Sequence, residues 1–319
     1  MKKLFFTFIL AIMTTGVLQA QQISVVSSGG ATTLYQNLKD AIEGADDGSV
    51  IYLPGGGFPI ADEVKITKKL TIVGIGHKIK TENVDGYTTI SGNLFFNQGS
   101  DGSALMGVYV AGNVYIGNDA KVDDVLVRYC NVNDVNVYNN CLGTTIDQNY
   151  IRGAAHFNGC SGIFSHNITQ FVKSLNDGFI SNNNIVGRYG GSGHNYAITD
   201  CDRTSITNNI ITDSYIHYGS NCLVSGNMCK SDWGDDCINI GNIDWNDVFQ
   251  NWKNGISPSS NFHLTETYAE YENKVGIYAG GSDFDKQLAP VPYIVGKRVD
   301  EQTDASGKLN IKIRVKAGQ

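Results

Sequence analysis

The chain has 319 residues, with 24 Lys and Arg against 31 Asp and Glu, a net charge of −7, and 37 glycines beside only 5 prolines. The acidic balance argues against nucleic acid or an anionic membrane surface as partner. Scarce proline suits a backbone whose N–H groups are mostly engaged in ladders, and after the first twenty residues no stretch reads as a transmembrane span.

Residues 1–20 read as a secretory signal. Lys2 and Lys3 form its positive end, residues 4–13 are apolar, and Ala20 supplies the small residue before the cut. No Cys follows, which argues against a lipid anchor, so secretion, the periplasm or the cell surface is the expected location. Loss of Lys2 and Lys3 makes the remainder two units more acidic. The remaining length suits one solenoid with its N-terminal cap over residues 21–280, then a linker and a capping hairpin over 281–319.

Residues 23–26 form a short strand. A helix is expected from Thr33, with Gln36 closing a capping box and Leu34, Leu38, Ala41, Ile42 and Ala45 on one face. Strands follow at residues 50–53, 64–66 and 70–74. A short amphipathic helix here covers the open end of a solenoid core, whose end strands otherwise face water. Alternating runs at residues 105–110 and 114–116 continue the pattern.

Residues 130–242 repeat in lines of about eighteen. Each line carries an apolar residue, two polar residues, Asn, one free position and another apolar residue. The Asn column reads Asn149, Asn167, Asn183, Asn209 and Asn227, with Cys130 in the same column one line earlier. A fixed period of this size marks a solenoid, and short strands rich in Ile, Val, Asn and Gly mark it as β. Asn is a common turn residue, but its fixed register predicts a ladder of side-chain amides at the spacing of stacked strands, about 4.8 Å. Cys141, Cys160 and Cys201, with Cys222 nearby, form a second column. It reads as stacked small apolar side chains, with disulfides the alternative. The seven cysteines contain no C-x-x-C pair, which argues against a structural zinc site.

The N-terminal pattern is specific for a fold. Leu38-x-x-Ala41-Ile42, then Gly48-x-Val50-Ile51-Tyr52-Leu53-Pro54, then Ile66-x-Lys68-x-Leu70-Thr71-Ile72-x-Gly74 resembles the cap and first coil of secreted right-handed parallel β-helix proteins of the pectin-lyase-like superfamily. The resemblance covers about residues 33–242. It implies an all-β, right-handed parallel β-helix with a short N-terminal capping helix and a C-terminal β-hairpin. It does not select an activity, because that superfamily holds lyases, hydrolases, esterases, adhesins and tailspikes.

After residue 242 the period changes. Residues 243–280 hold Trp245, Trp252 and several other aromatics between polar loops, and read as irregular last coils. Residues 293–299 and 309–315 read as the two strands of a hairpin that caps the C-terminal end, the second alternating Leu309, Ile311, Ile313 and Val315 with polar residues.

Chemistry is concentrated where the repeat breaks. Gly234-Asp235-Asp236-Cys237-Ile238 resembles the paired-aspartate motif of polygalacturonase-type glycoside hydrolases, which share the solenoid fold. That resemblance implies acid/base carboxylates. Neither the Gly-His-Gly nor the Arg-x-Lys of that family follows here. From the repeat itself, Asp213 and Asp235 are expected one coil apart, with His156, His217 and Asn239 in a neighbouring outward column. Stacked carboxylates share a proton, bind a cation or face water, so Asp213, Asp235, Asp236 and His217 are the candidate catalytic residues. Solvated turns account for the same acids. Asp244, Asn246 and Asp247 offer oxygen ligands of the kind Ca²⁺ takes. Arg188, Tyr189 and His194 in the glycine-rich insertion, with Lys230 and Trp233, are the candidate substrate-binding residues, since insertions in a solenoid often line a groove and aromatics present flat apolar area. Two functions fit: binding or cleavage of an extracellular polysaccharide along the solenoid face, and a non-catalytic surface, adhesion or spacer role.

Overall fold

The computed structural model describes residues 22–60, 63–76, 87–187, 196–211, 215–230, 234–241, 245–252, 256–257, 259–284, 293–299, 308 and 311–316. Their strands wind into a parallel β-solenoid of about eight turns. Most turns give one short strand to each of three sheets. Sheet A runs from Ser49–Tyr52 to Leu223–Ser225, sheet B from Gly56–Pro59 to Ile238–Asn239, and sheet C from Val64–Ile66 to Tyr215–Tyr218.

The core is made of in-register columns. In sheet A, Ile51, Ile72, Leu105, Val127, Ile146, Phe164, Ile180, Ile206 and Val224 stack one above the other, and all are buried. Alternation along each strand sends the neighbours of these residues outward.

The bend from sheet A to sheet B carries the Asn ladder. The Nδ2 of Asn149, Asn167, Asn183 and Asn209 each donates to the Oδ1 of the next Asn, at 3.0, 3.2, 2.9 and 2.9 Å. Each of these Oδ1 atoms also accepts the backbone N–H of the preceding ladder residue, beginning with Cys130. All five amides are fully buried, so every lone pair filled here removes an orphan from the interior. The residue at this bend is left-handed in eight successive turns: Gly107, Tyr129, Gln148, His166, Asn182, Asn208, Gly226 and Asp236 all have φ between 50° and 65°.

The N-terminal helix begins later than the sequence pattern predicts. It spans Leu38–Gly44, capped by Asn37, whose Oδ1 accepts the Asp40 N–H. Thr32–Tyr35 is instead a strand, paired antiparallel with Ile23–Val26, because consecutive β-branched threonines suit a strand better than a first helical turn. Leu34 therefore points to solvent, while Leu38, Ala41, Ile42 and Ala45 close the end of the core.

The described residues between 245 and 284 are not further coils. They fold back over the outer face of sheet B. There Tyr150, Ile168, Ile210 and Met228 form a second buried cluster with Val248, Phe249, Phe262, Leu264, Val275, Ile277, Tyr278 and Phe284. Within this cover Phe249–Asn251 and Asn261–Leu264 pair antiparallel. Gly276 (φ 74°) packs so closely that a Cβ would lie 2.4 Å from Asn184 Oδ1. The C-terminal hairpin is present, with Tyr293–Val299 antiparallel to Ile311–Lys316. No helix among the described residues is long and apolar enough to cross a membrane.

Candidate functional site

Sheet C carries polar and aromatic side chains on its outer face, of which Phe95 and Thr199 are themselves buried. One column reads Lys65, Phe95, Tyr115, Asn136, His156, Lys173, Thr199 and His217, in register through all eight strands. Seven inter-strand steps make it about 34 Å long. The inner column beside it, Val64, Leu94, Val114, Val135, Ala155, Val172, Ile198 and Ile216, is buried and fixes the direction of its neighbours.

The rings on this face pack edge to face or stack, as their quadrupoles favour. Phe95 and Tyr115 stack with centroids 4.7 Å apart. His156 meets Phe171 edge-on at 5.3 Å, and Tyr196 lies 4.9 Å from His217. Lys230 Nζ sits 4.5 Å above the Tyr215 ring, a cation–π contact. Tyr218 is exposed beside them. Burial pulls His156 below the usual histidine range, with Lys173 adding to the effect and Asp134 opposing it, so its imidazole is neutral at neutral pH. Burial likewise raises the Tyr138 hydroxyl, helped by Tyr115. Lys173 Nζ lies 3.7 Å from Asp200 Oδ2. Along the margin toward sheet B, Asn113 takes the Asn93 Oδ1 on its N–H and donates from Nδ2 to the Tyr115 hydroxyl. Asn133 donates to Asn113 Oδ1 in turn.

Of the residues expected from sequence, His217 and Lys230 lie at this face. His156 shares the His217 column as expected. Asn239 does not: it pairs with Cys229 in sheet B. Asp235 and Asp236 lie elsewhere. Asp235 bridges Ser225 and so continues the outward column of sheet A, and Asp236 takes the left-handed bend position that Gly226 holds one turn earlier. Both are exposed. Asp235 is thus stacked on Ser225, and its expected partner Asp213 lies outside the described residues. Asn227 and Cys237 are only ten positions apart, and no strand of sheet C lies among the described residues between them. Asp213, Arg188, Tyr189, His194 and Trp233 lie outside the described residues.

Sequence reasoning missed Phe95, Tyr115, Phe171, Tyr196 and Tyr215, although each flanks a buried apolar residue in a short alternating run. It also missed a polar cluster at the sheet A bend. Asp147 there accepts Arg128 Nε at 3.0 Å and Ser165 Oγ at 2.7 Å, with His166 Nδ1 at 3.2 Å. Arg128 also donates to Gln148 Oε1, and Gln148 Nε2 donates to Ser282 Oγ in the cover. With its oxygens engaged by partners from the turns on either side, Asp147 is an anchor rather than a free base. Asp244 is outside the described residues, Asn246 and Asp247 are exposed, and no group of three or more His, Cys, Asp or Glu among the described residues converges to hold a metal ion. No disulfide joins any of the seven cysteines. Comparisons with protein-family models, with curated proteins and with solved structures gave no match.

Proposed function

We propose that the protein binds an extracellular polysaccharide along the outer face of sheet C. The observation that carries this reading is the outward column from Lys65 to His217, flanked by Phe171, Tyr196 and Tyr215. Aromatic and imidazole rings recur there on a rigid lattice. A polysaccharide is itself a repeating chain of rings with apolar C–H faces and hydroxyl edges. Half-buried Tyr115, Phe171, Tyr196 and Tyr215 offer the flat apolar area such rings stack on, and the neighbouring amides, hydroxyls and ammonium groups offer partners for the hydroxyls. The leader-like residues 1–20 and the resemblance to the pectin-lyase-like superfamily accord with an exported protein that meets such a polymer.

The test is a panel of polygalacturonate, alginate, xylan and β-glucan, assayed for retention and for turnover, with and without Ca²⁺. Retention of at least one polymer that is lost in a Tyr196→Ala/Tyr215→Ala double variant is expected. No retention of any polymer favours the spacer or adhesion role. The same panel decides on cleavage by Asp213, Asp235, Asp236 and His217: turnover that disappears in Asp235→Asn while binding persists makes the protein a polysaccharide-cleaving enzyme.

A further inference from the structure

Sheet A exposes an apolar column that the polysaccharide reading does not use. Leu126, Thr145, Ile163, Phe179, Ser205 and Leu223 are in register on its outer face. Ile163 is 42% exposed, Phe179 55% and Leu223 58%, and Leu142 in the adjoining turn is 49% exposed. Four of the eight exposed large hydrophobic side chains among the described residues thus lie on one strip. The column has a defined relief. Phe179 and Leu223 stand up as ridges, and Ser205 between them is the floor of a groove of about 270 Å³. The groove is closed at one side by Arg203, whose Nε and Nη2 each donate at 2.6 Å to the two oxygens of Asp177. On the other side the next outward column is Ser165, Ser181, Thr207 and Ser225, small hydroxyl residues that do not obstruct an approaching surface.

We propose that this face docks a second copy of the same chain about a two-fold axis that runs along the strands, between the turn of Phe179 and the turn of Ser205. Such an axis reverses the order of turns and keeps positions along the strand. Each Phe179 then enters the groove over Ser205 of the partner copy, and Ile163 lies against the Leu223 ridge of the other chain. The same operation sets Asp177 opposite the partner copy's Arg203 and Arg203 opposite its Asp177. Two intrachain ion pairs become a four-charge cluster of alternating sign, and Asp235 comes opposite the Arg128–Asp147–His166 cluster. A two-fold interface must be self-complementary, and a ridge beside a groove, with an acid beside a base in the same two turns, meets that condition. The apolar strip is only about 24 Å long, and interfaces of stable pairs bury roughly 800 Å² per partner, so the dimer is weak and concentration-dependent. The charges set its register more than its strength.

Sedimentation velocity of the purified protein from low micromolar to several hundred micromolar tests this. The expected result is a shift from the monomer toward twice its mass. Phe179→Asp, and independently Ser205→Trp, which fills the groove without touching the core, are each expected to weaken association at least tenfold with unchanged circular dichroism. Arg203→Asp is expected to weaken it, and the exchanged pair Asp177→Arg/Arg203→Asp to restore it. A protein that stays monomeric throughout, or variants at Phe179 and Ser205 that associate like wild type, would overturn the proposal. An unchanged equilibrium in Arg203→Asp would overturn the placement of the axis.

Discussion

Replacing Asn183 by Ala removes the middle rung of the ladder. Its Nδ2 donates to Phe164 O, Ser181 O and Asn209 Oδ1 at 3.0, 2.9 and 2.9 Å, and its Oδ1 accepts the Asn167 N–H at 2.8 Å. The site is fully buried, so water does not readily replace these bonds. Two buried donors, the Asn167 N–H and Nδ2, and three buried oxygens, Phe164 O, Ser181 O and Asn209 Oδ1, lose a partner; Asn167 Nδ2, Asn209 Oδ1 and Ser181 O keep another, and a buried group left without one costs about 1–3 kcal/mol. Allowing for the milder cost of a carbonyl with a second lone pair, the variant is expected to lose on the order of 3–5 kcal/mol. The control is one residue away. Asn182 sits at φ 59° with its Oδ1 unbonded, so Asn182→Gly relieves a left-handed backbone and is expected within about 1 kcal/mol of wild type. Urea unfolding followed by circular dichroism measures both. Hydrogen exchange at Phe179–Ser181 and Ser205–Thr207 guards against a partly unfolded solenoid, since stacked turns need not melt as one unit. If Asn183→Ala is no more destabilising than Asn182→Gly, the ladder is not what holds the bend.

Other outcomes follow from the same geometry. Gly276→Ala puts a Cβ 2.4 Å from Asn184 Oδ1 and 2.5 Å from Ile210 at a left-handed backbone. The cover is expected to loosen by about 2–4 kcal/mol, seen as faster exchange at Asn261–Leu264 while the core columns stay protected. His156 is held neutral by burial, so its folded pKa lies below the unfolded value of about 6.5. The stability this gives is complete above that value and is lost as pH falls toward the folded pKa, because the unfolded chain then binds the extra proton. His156→Asn is expected to narrow the difference in melting temperature between pH 7.5 and 5.5. For the thiols, burial pushes Cys130 and Cys201 up to about 12. A thiol reagent is expected to label half-buried Cys222 and Cys237 first and these two only on unfolding; early labelling of Cys130 contradicts the packed column.

The solenoid was legible because one residue per turn must satisfy the same bend. Asn149 through Asn227 repeat since each amide completes its neighbour's hydrogen bonds, and a linear spacing exposes that directly. The apolar columns follow for the same reason. The cover over sheet B was not legible. Phe249, Phe262 and Tyr278 are spaced by turns and short 3₁₀ segments, with no period to say which sheet they face. The helix start was misplaced because Thr33 and Gln36 satisfy a local capping pattern, whereas pairing with Ile23–Val26 decides the strand. The paired aspartates resemble a catalytic motif, yet Asp236 stands where the seven preceding turns have a left-handed residue, and Asp235 continues the column of Ser225. The repeat period places Asp235 one coil beyond Asp213, whereas the spacing of ten from Asn227 to Cys237 puts Asp235 in register with Ser225. The outward rings of sheet C were visible only as single aromatics in short strands. Their meeting on one face needs the register of all eight turns.

Hydrogen exchange of the protein with and without the polymer that it retains most strongly from the panel tests the central proposal most directly. Binding on sheet C predicts slower exchange confined to Tyr196–Cys201, Tyr215–Tyr218 and the strands in register with them. Protection at Phe179–Ser181 and Leu223–Ser225, at the bend around Asp235 and Asp236, or nowhere in the solenoid would contradict it.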